Sequence, residues 1–246
     1  MYNVIVIGPY TYILPIRGII DTIHVLDFDI KDDYIEAINL IKSHHNEIDL
    51  VLFTGGEDVS PELYGGINKR SYVNKKRDIM EQTIFRLCYK YGIKVSGICR
   101  GFQFINVMSG GKMYQHMRHP PYHNAYFAMS NEQHLVSSTH HQLVNICEST
   151  IPIIWTEPSI SPFYFDENGG AVKPKIKIKE VEGAIFTNIR GFGVQFHPEI
   201  MNVTDSAVIA YQTIMEDFLS YGFDKFVQLY RTKCGGAKCQ KISLNC

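Results

Sequence analysis

The sequence predicts an α/β protein with a mainly parallel central sheet and helices on both faces. Two patterns and the composition carry this expectation. Short apolar runs alternate with longer segments of helical period through the first hundred residues, and turn residues close most of the runs. Strands that alternate with helices build βαβ units, which pair their strands in parallel. The chain has 246 residues, 45% hydrophobic and 20% charged, enough for one full core. Residues 1–230 are therefore read as a single domain and 231–246 as a C-terminal tail.

In chain order, strands are expected from Asn3 to Gly8, from Thr22 to Leu26 and from Asp49 to Phe53, with a helix from about Asp32 to His44 between the last two. A second helix carries Arg77, Asp78 and Glu81 on its first turns and runs to about Tyr91, where Gly92 ends it. Arg77 and Glu81 stand four residues apart, close enough on a helix to pair, and are read as structural. A short strand then leads into Cys99, followed by an apolar-periodic helix. Further strands are expected at Ile151 to Thr156, Lys175 to Lys179, Gly183 to Thr187 and Phe192 to Phe196, with a last amphipathic helix from about Val203 to Leu219. The Lys/Ile alternation at 175–179 suits an edge strand with its lysines in water. Residues 157–174, with Pro158, Pro162 and Gly169-Gly170, read as a long loop able to cover part of a pocket.

In Lys94-Val95-Ser96-Gly97-Ile98-Cys99-Arg100-Gly101-Phe102-Gln103 a strand runs through a cysteine-centred turn into a helix. A side chain on such an elbow stands clear of the sheet, above the positive end of the helix and near free backbone N–H groups. There a thiol can ionise near neutral pH. Downstream, His197-Pro198-Glu199 offers a base and a carboxylate. Proline holds the residue before it extended, and in extended chain residues i and i+2 face one side, so Glu199 is expected to reach the imidazole. Nucleophile, base and orienting carboxylate are the parts needed to attack an amide and protonate the leaving amine. Gly55-Gly56, after the apolar run Leu50 to Phe53, lets main chain approach a ligand closely.

These motifs, in order, resemble those of the class I glutamine amidotransferase-like superfamily, and more closely its γ-glutamyl hydrolase branch, which includes γ-glutamyl-γ-aminobutyrate hydrolases. The matching blocks are Thr54 to Gly65, Arg77-Asp78 with Glu81, Cys99 to Gln103, Ser138-Thr139-His140-His141-Gln142, and the block ending His197-Pro198-Glu199. The resemblance implies a flavodoxin-like fold with Cys99 as nucleophile, His197 and Glu199 completing a triad, and the backbone of Gly56 and Arg100 forming an oxyanion hole. It further implies that Gly55, Gln103, His140, His141 and Gln142 meet the glutamyl moiety, the histidine block partly through its main chain. The family pattern usually has Asn where this chain has Ser137.

The leading expectation is thus a thiol hydrolase of γ-glutamyl amides that needs no metal or organic cofactor. A glutaminase subunit passing ammonia to a separate synthase uses the same triad, and a non-catalytic binding or regulatory protein on the same fold is a third reading. Glutamine or another small γ-glutamyl amide is the expected partner. A formal net charge of −1 gives no electrostatic case for nucleic acid or an anionic membrane. The run Val4 to Ile7 is too short for a signal core or a spanning helix, so the cytoplasm is expected. Cys88, on the apolar side of its helix, and Cys147, in a connecting stretch, read as structural. Cys234, Cys239 and Cys246 fit no standard zinc spacing. Among His116, His119, His123 and His134, Pro120-Pro121 rules out helical spacing, so no metal site is expected.

Overall fold

The computed structural model describes residues 2–26, 31–172 and 179–234. Its strands are β1 (Tyr2–Ile7), β2 (Ile20–Leu26), β3 (Leu50–Phe53), β4 (Lys94–Ile98), β5 (Lys112–Tyr114), β6 (His116–Met117), β7 (Tyr122–Phe127), β8 (Glu132–Ser137), β9 (Leu143–Asn145), β10 (Thr150–Thr156), β11 (Tyr164–Phe165), β12 (Ala171–Val172), β13 (Glu180–Phe186) and β14 (Gly191–Val194). The α-helices are α1 (Lys31–His44), α2 (Lys75–Tyr91), α3 (Arg100–Met108), α4 (Ser206–Ser220) and α5 (Phe223–Cys234).

Nine strands form the central sheet in the order β2-β1-β3-β4-β14-β13-β10-β7-β8. The first five pair in parallel, as the alternating sequence predicts, and the remaining four continue the sheet antiparallel. The parallel strands β1 and β3 are completely or almost completely buried along their apolar runs, as a sheet covered on both faces requires. Two apolar clusters lie against it. One contains Val4, Leu52, Phe192, Tyr211 and Phe226 from α4, α5 and the sheet; the other contains Ile5, Val51, Ile84, Phe85 and Phe104 from α1, α2, α3 and the sheet.

This order positions the site. β3, β4 and β14 are neighbours and run in one direction, with Phe53 opposite Gly97 and Val194 opposite Ile98. Adjacent strands lie about 4.8 Å apart, so the residues just beyond their carboxyl ends must sit side by side. Gly55-Gly56, Cys99 and His197 occupy those positions, with the cysteine in the middle. Helix α3 can start so close to the sheet only because two glycines face each other there: a Cβ on Gly97 would lie 2.3 Å from the Gly101 carbonyl carbon, and one on Gly101 would lie 2.1 Å from Phe53 O.

Several expectations shift. Residues 157–174 are not a plain loop, because β11 and β12 within them pair with each other and β11 with β6. The stretch around 122–137 is a hairpin, β7 and β8, on the sheet edge. α5 continues four residues into the segment read as a tail, and Phe226 and Tyr230 on it are fully buried. The lysine-rich strand expected at 175–179 lies outside the described residues except for Lys179, which is in no strand. The cysteines at 239 and 246 also lie outside them. Among the described residues, no helix is long and apolar enough to cross a membrane.

Candidate active site

Cys99 caps α3 with φ 53° and ψ −110°, a conformation that non-glycine residues adopt at a cost of about 1–3 kcal/mol. Its backbone is held on both sides: its N–H donates to Val194 O at 2.9 Å and its carbonyl accepts from Gln103 N at 3.0 Å. The strained turn places the thiol at the base of α3, near enough to His197 to raise the imidazole pKa. His197 Nδ1 lies 2.5 Å from Glu199 Oε1. The carboxylate gets there by a route other than extended chain, since Pro198–Ile200 is a single 3-10 turn with Glu199 in its first turn. Ser137 fixes the histidine backbone from across the sheet, accepting from His197 N–H at 3.0 Å and donating to His197 O at 3.2 Å. Burial pulls the His197 pKa down, but the hydrogen bonds and charges of Cys99 and Glu199 outweigh it and push it up to about 10. The imidazolium is therefore the resting form at neutral pH, poised to give a proton.

On the other side of Cys99 the Thr54-Gly55-Gly56 turn is clamped from behind. Arg77 Nη1 donates to Gly55 O and Nη2 to Thr54 O, each at 3.0 Å, while Nε donates to Glu81 Oε1 at 2.8 Å. In a trans peptide the carbonyl and the next N–H point opposite ways, so pinning Gly55 O to Arg77 turns the Gly56 N–H away from it. Gly56 has φ 140°, and a Cβ there would lie 2.1 Å from Arg77 Nη1. Arg100 is buried in the same network, on Asp78 Oδ1 at 2.6 Å, Glu57 O at 3.1 Å and Glu81. The expected Arg77–Glu81 pair is present, and it belongs to a buried lattice that supports both backbone segments flanking Cys99. Helix α2 delivers it with Asn74 as N-cap and Gly92, at φ 70°, as C-cap.

The other expected ligand contacts divide. Gly55 borders the site, since a Cβ there would meet Tyr12 Oη at 2.4 Å and His197 Cε1 at 3.0 Å. Gln103 is buried and donates to Gln195 Oε1 at 3.3 Å. His141 is half-exposed, with Nε2 3.1 Å from Asp58 Oδ2 and Nδ1 3.2 Å from His116 Nδ1; the hydrogen bond to Asp58 raises its pKa against the effect of burial. The His140 and Gln142 side chains instead turn into the protein. Gln142 donates to Ser71 Oγ and Gln115 O, and His140 Nδ1 bonds Gln142 O at 2.8 Å. Burial, with neighbouring His119 and His123, lowers the His140 pKa to about 4.

Sequence reasoning did not single out Tyr12, Glu57 or Asp58 by themselves. Tyr12 reaches the site from the 3-10 segment Tyr10–Ile19, with its ring 6.1 Å from His197. Burial and the neighbouring Glu199 and Cys99 charges raise its pKa, so it remains a neutral phenol. The chain pattern around Tyr12 offers no motif that would have found it. The histidine expectation also needs correction: Pro120-Pro121 does prevent helical spacing, yet the turn through these prolines brings His119 and His123 together around Glu182, beside His140. His116 faces His141, and His134 lies between Ser130 and Ser206, both outside that group.

The sequence pattern of Peptidase C26 matches residues 30–157. Protein NtpR of Enterococcus hirae is 26% identical over 173 residues, covering 65% of this chain and 71% of its own length. The glutamine amidotransferase-like protein YvdE of Lactococcus lactis is 30% identical over 127 residues, 42% of this chain, and the chain spans about half of its length (54%). Among solved structures, a glutamine amidotransferase from Thermotoga maritima superimposes with a TM-score of 0.51 at 14% identity, covering 95% of this chain and 94% of its own. The glutaminase domain of Trypanosoma brucei CTPS with bound acivicin gives 0.54 at 11% identity, covering 91% and 96%. At such identities the two structures establish the shared fold.

Proposed function

The chain belongs to the Peptidase C26 family, of glutamine amidotransferase-like fold and C–N hydrolase type, and from that membership we propose that it is a free-standing thiol hydrolase of γ-glutamyl amides. The observation that carries the reading is Cys99 on its strained elbow beside an imidazole that Glu199 holds. Cys99 Sγ attacks the side-chain carbonyl carbon, and the developing oxyanion is met by the N–H groups of Gly56 and Arg100. His197 gives its proton to the amine nitrogen as the C–N bond breaks, leaving a γ-glutamyl thioester. Water then attacks that thioester while His197 takes a proton from it, and glutamate leaves as the thiol is restored. Glu199 keeps the ring oriented and stabilises its charge.

Gly55 and the half-exposed His141 line the approach, Gln103 lies one helical turn past the nucleophile, and the His140–Gln142 segment offers its main chain, since two of its side chains are engaged elsewhere. The partner is a small γ-glutamyl amide or glutamine. A glutaminase passing ammonia to a synthase is the second reading, supported by likeness in fold to the CTPS glutaminase domain. The internal Arg77 clamp favours the first, because electrostatic stabilisation requires donors aimed before reaction and this chain supplies the support itself. The test is steady-state turnover by the isolated chain on glutamine and a panel of γ-glutamyl amines. Turnover is expected without any partner, with a bulky amine favoured in kcat as well as KM. Glutamine hydrolysis only after a synthase is added would assign the protein to the second reading.

A further inference from the structure

Outside the Cys99 site the molecule holds a second concentration of chemistry. His119 and His123 flank the Pro120-Pro121 turn between β6 and β7, His140 follows β8, and Glu182 stands on β13. All four side chains are 97% or more buried. Three imidazoles converge on one carboxylate oxygen: Glu182 Oε1 lies 3.3 Å from His123 Nε2, 3.7 Å from His140 Nε2 and 3.9 Å from His119 Nδ1. Yet neither oxygen of Glu182, no ring nitrogen of His119 or His123 and not His140 Nε2 has a hydrogen-bond partner. Burying an ionised carboxylate without hydrogen bonds is among the most costly arrangements in a protein interior. A cation that accepts lone pairs from these groups would offset that cost.

We propose that His119, His123 and Glu182, with His140 at their edge, form a zinc-type divalent-cation site that fastens the strands beside the Cys99 centre. Donors about 2.0–2.1 Å from a tetrahedral ion stand about 3.3–3.4 Å from one another. The ligand atoms of His119, His123 and Glu182 all lie within 4.8 Å of one another, with Glu182 Oε1 3.3 Å from His123 Nε2 and 3.9 Å from His119 Nδ1, so they need only draw closer to close on an ion. Two of the three outer nitrogens face a carbonyl or a carboxylate, while His123 Nδ1 has no partner. His140 Nδ1 is committed to the Gln142 carbonyl at 2.8 Å, which leaves the Nε2 lone pair facing Glu182. His119 Nε2 sits 3.2 Å from Glu180 Oε2, which leaves Nδ1 toward the centre. Carbonyl or carboxylate support on the far nitrogen is what orients a metal-bound imidazole. Glu180 is itself held, accepting from Ile160 N and Ser161 N at 3.0 Å each and bonding the Tyr164 hydroxyl. Two imidazole nitrogens and one carboxylate oxygen, with a third imidazole nitrogen, His140 Nε2, 3.7 Å from that oxygen, suit Zn²⁺ over Mg²⁺ or Ca²⁺, which prefer oxygen ligands. The complete or near-complete burial of these side chains keeps substrate from the ion, so its role is structural. Through His140 it would tie down the segment leading to His141, and through Glu180 the residues 160–164.

The competing arrangement is a metal-free network in which protonated histidines pair with Glu182, and it differs in metal content. The full chain, stripped with a chelator and refilled with Co²⁺, should take up one ion per chain with visible absorption of tetrahedral intensity and no thiolate charge-transfer band. His123→Asn and Glu182→Gln should each weaken uptake at least about tenfold. Zn²⁺ should raise the melting temperature of the stripped wild type, a measurement that decides the matter even where a variant does not fold. No uptake by folded wild type, uptake unchanged in both variants, or a thiolate band assigning the ion to the cysteines would each overturn the site. None of these readouts depends on hydrolase activity, so failure here leaves the proposed reaction standing, and failure of that reaction leaves the site standing.

Discussion

Arg77→Leu tests whether the buried charge lattice builds the reaction centre or merely the fold. The substitution removes hydrogen bonds to Glu81 Oε1, Gly55 O and Thr54 O and an ion pair to Glu57 at 3.3 Å. Glu81, with a side chain fully buried, is then left with Arg100 as its remaining ion-pair partner. Breaking a buried pair by deleting one partner costs about 3–5 kcal/mol. At about 2–4 °C per kcal/mol for a chain of this size, the melting temperature should fall by roughly 6–20 °C. A second substitution, Glu81→Leu, should return part of that loss, because it removes the stranded carboxylate, and the double-mutant cycle should show coupling well above the additive expectation.

The catalytic arm is separate. Without Arg77 the Gly55 carbonyl is free to turn, and the Gly56 N–H turns with it in the same peptide plane. Loss of one oxyanion donor lowers kcat by about 100- to 1000-fold, so kcat should drop toward that range at a temperature where the variant is still folded, with KM changed far less. Stability loss of the expected size with undiminished kcat would refute the clamp and leave Arg77 as a fold residue only.

Cys99→Ala should abolish turnover while preserving the fold, since alanine keeps the Cβ and hence the same backbone strain; activity assays with circular dichroism check both. His197, raised to about 10, contributes stability that is complete below its unfolded value near about 6.5 and is lost as pH rises through about 10. The melting-temperature advantage of wild type over Cys99→Ala should therefore shrink as pH climbs from 7 through 10, and NMR titration should find the imidazole pKa lowered in the variant. Glu199→Gln should reduce kcat less than His197→Ala, because it perturbs orientation without deleting the proton carrier. Truncation after Cys234 keeps all of α5, so melting temperature and activity should match the full chain, whereas truncation before Phe226 should unfold the α4–α5 layer and lower the melting temperature sharply.

What could be read from the sequence was what short-range pattern encodes. Cys99 was legible because strand, turn and helix meet within ten residues, and Gly55-Gly56 only beside it, since a glycine pair after an apolar run is otherwise a plain strand-to-loop turn. The β7–β8 hairpin was not, although its burial alternates strictly along β7: Tyr122 and Asn124 face out, and His123, Ala125 and Phe127 face in. An inward histidine erases the apolar-polar contrast on which the period-2 signal depends. α5 does carry a helical stripe, Phe223, Phe226, Val227 and Tyr230, and it was hidden only by the glycine- and lysine-containing tail beyond it.

Polar interior groups escape sequence reading for a deeper reason. Hydropathy treats an inward charge as an outward one, and its meaning rests on partners that the chain brings from far away. Glu182 stands just before the strand expected at Gly183 to Thr187 and carries no signal of its own; β7 and the turn after β8 deliver His123 and His140 to it from roughly 40 to 60 positions upstream. Arg100 likewise reads as the first residue of a helix until α2 presents Asp78 and Glu81. In both places the carboxylate and its cationic or lone-pair partners are arranged around backbone that the proposed reaction uses, Gly56 in one case and the His140–Gln142 segment in the other. The apolar pattern that predicted the parallel sheet explains where Cys99 stands. The polar interior explains why the groups facing it are held still.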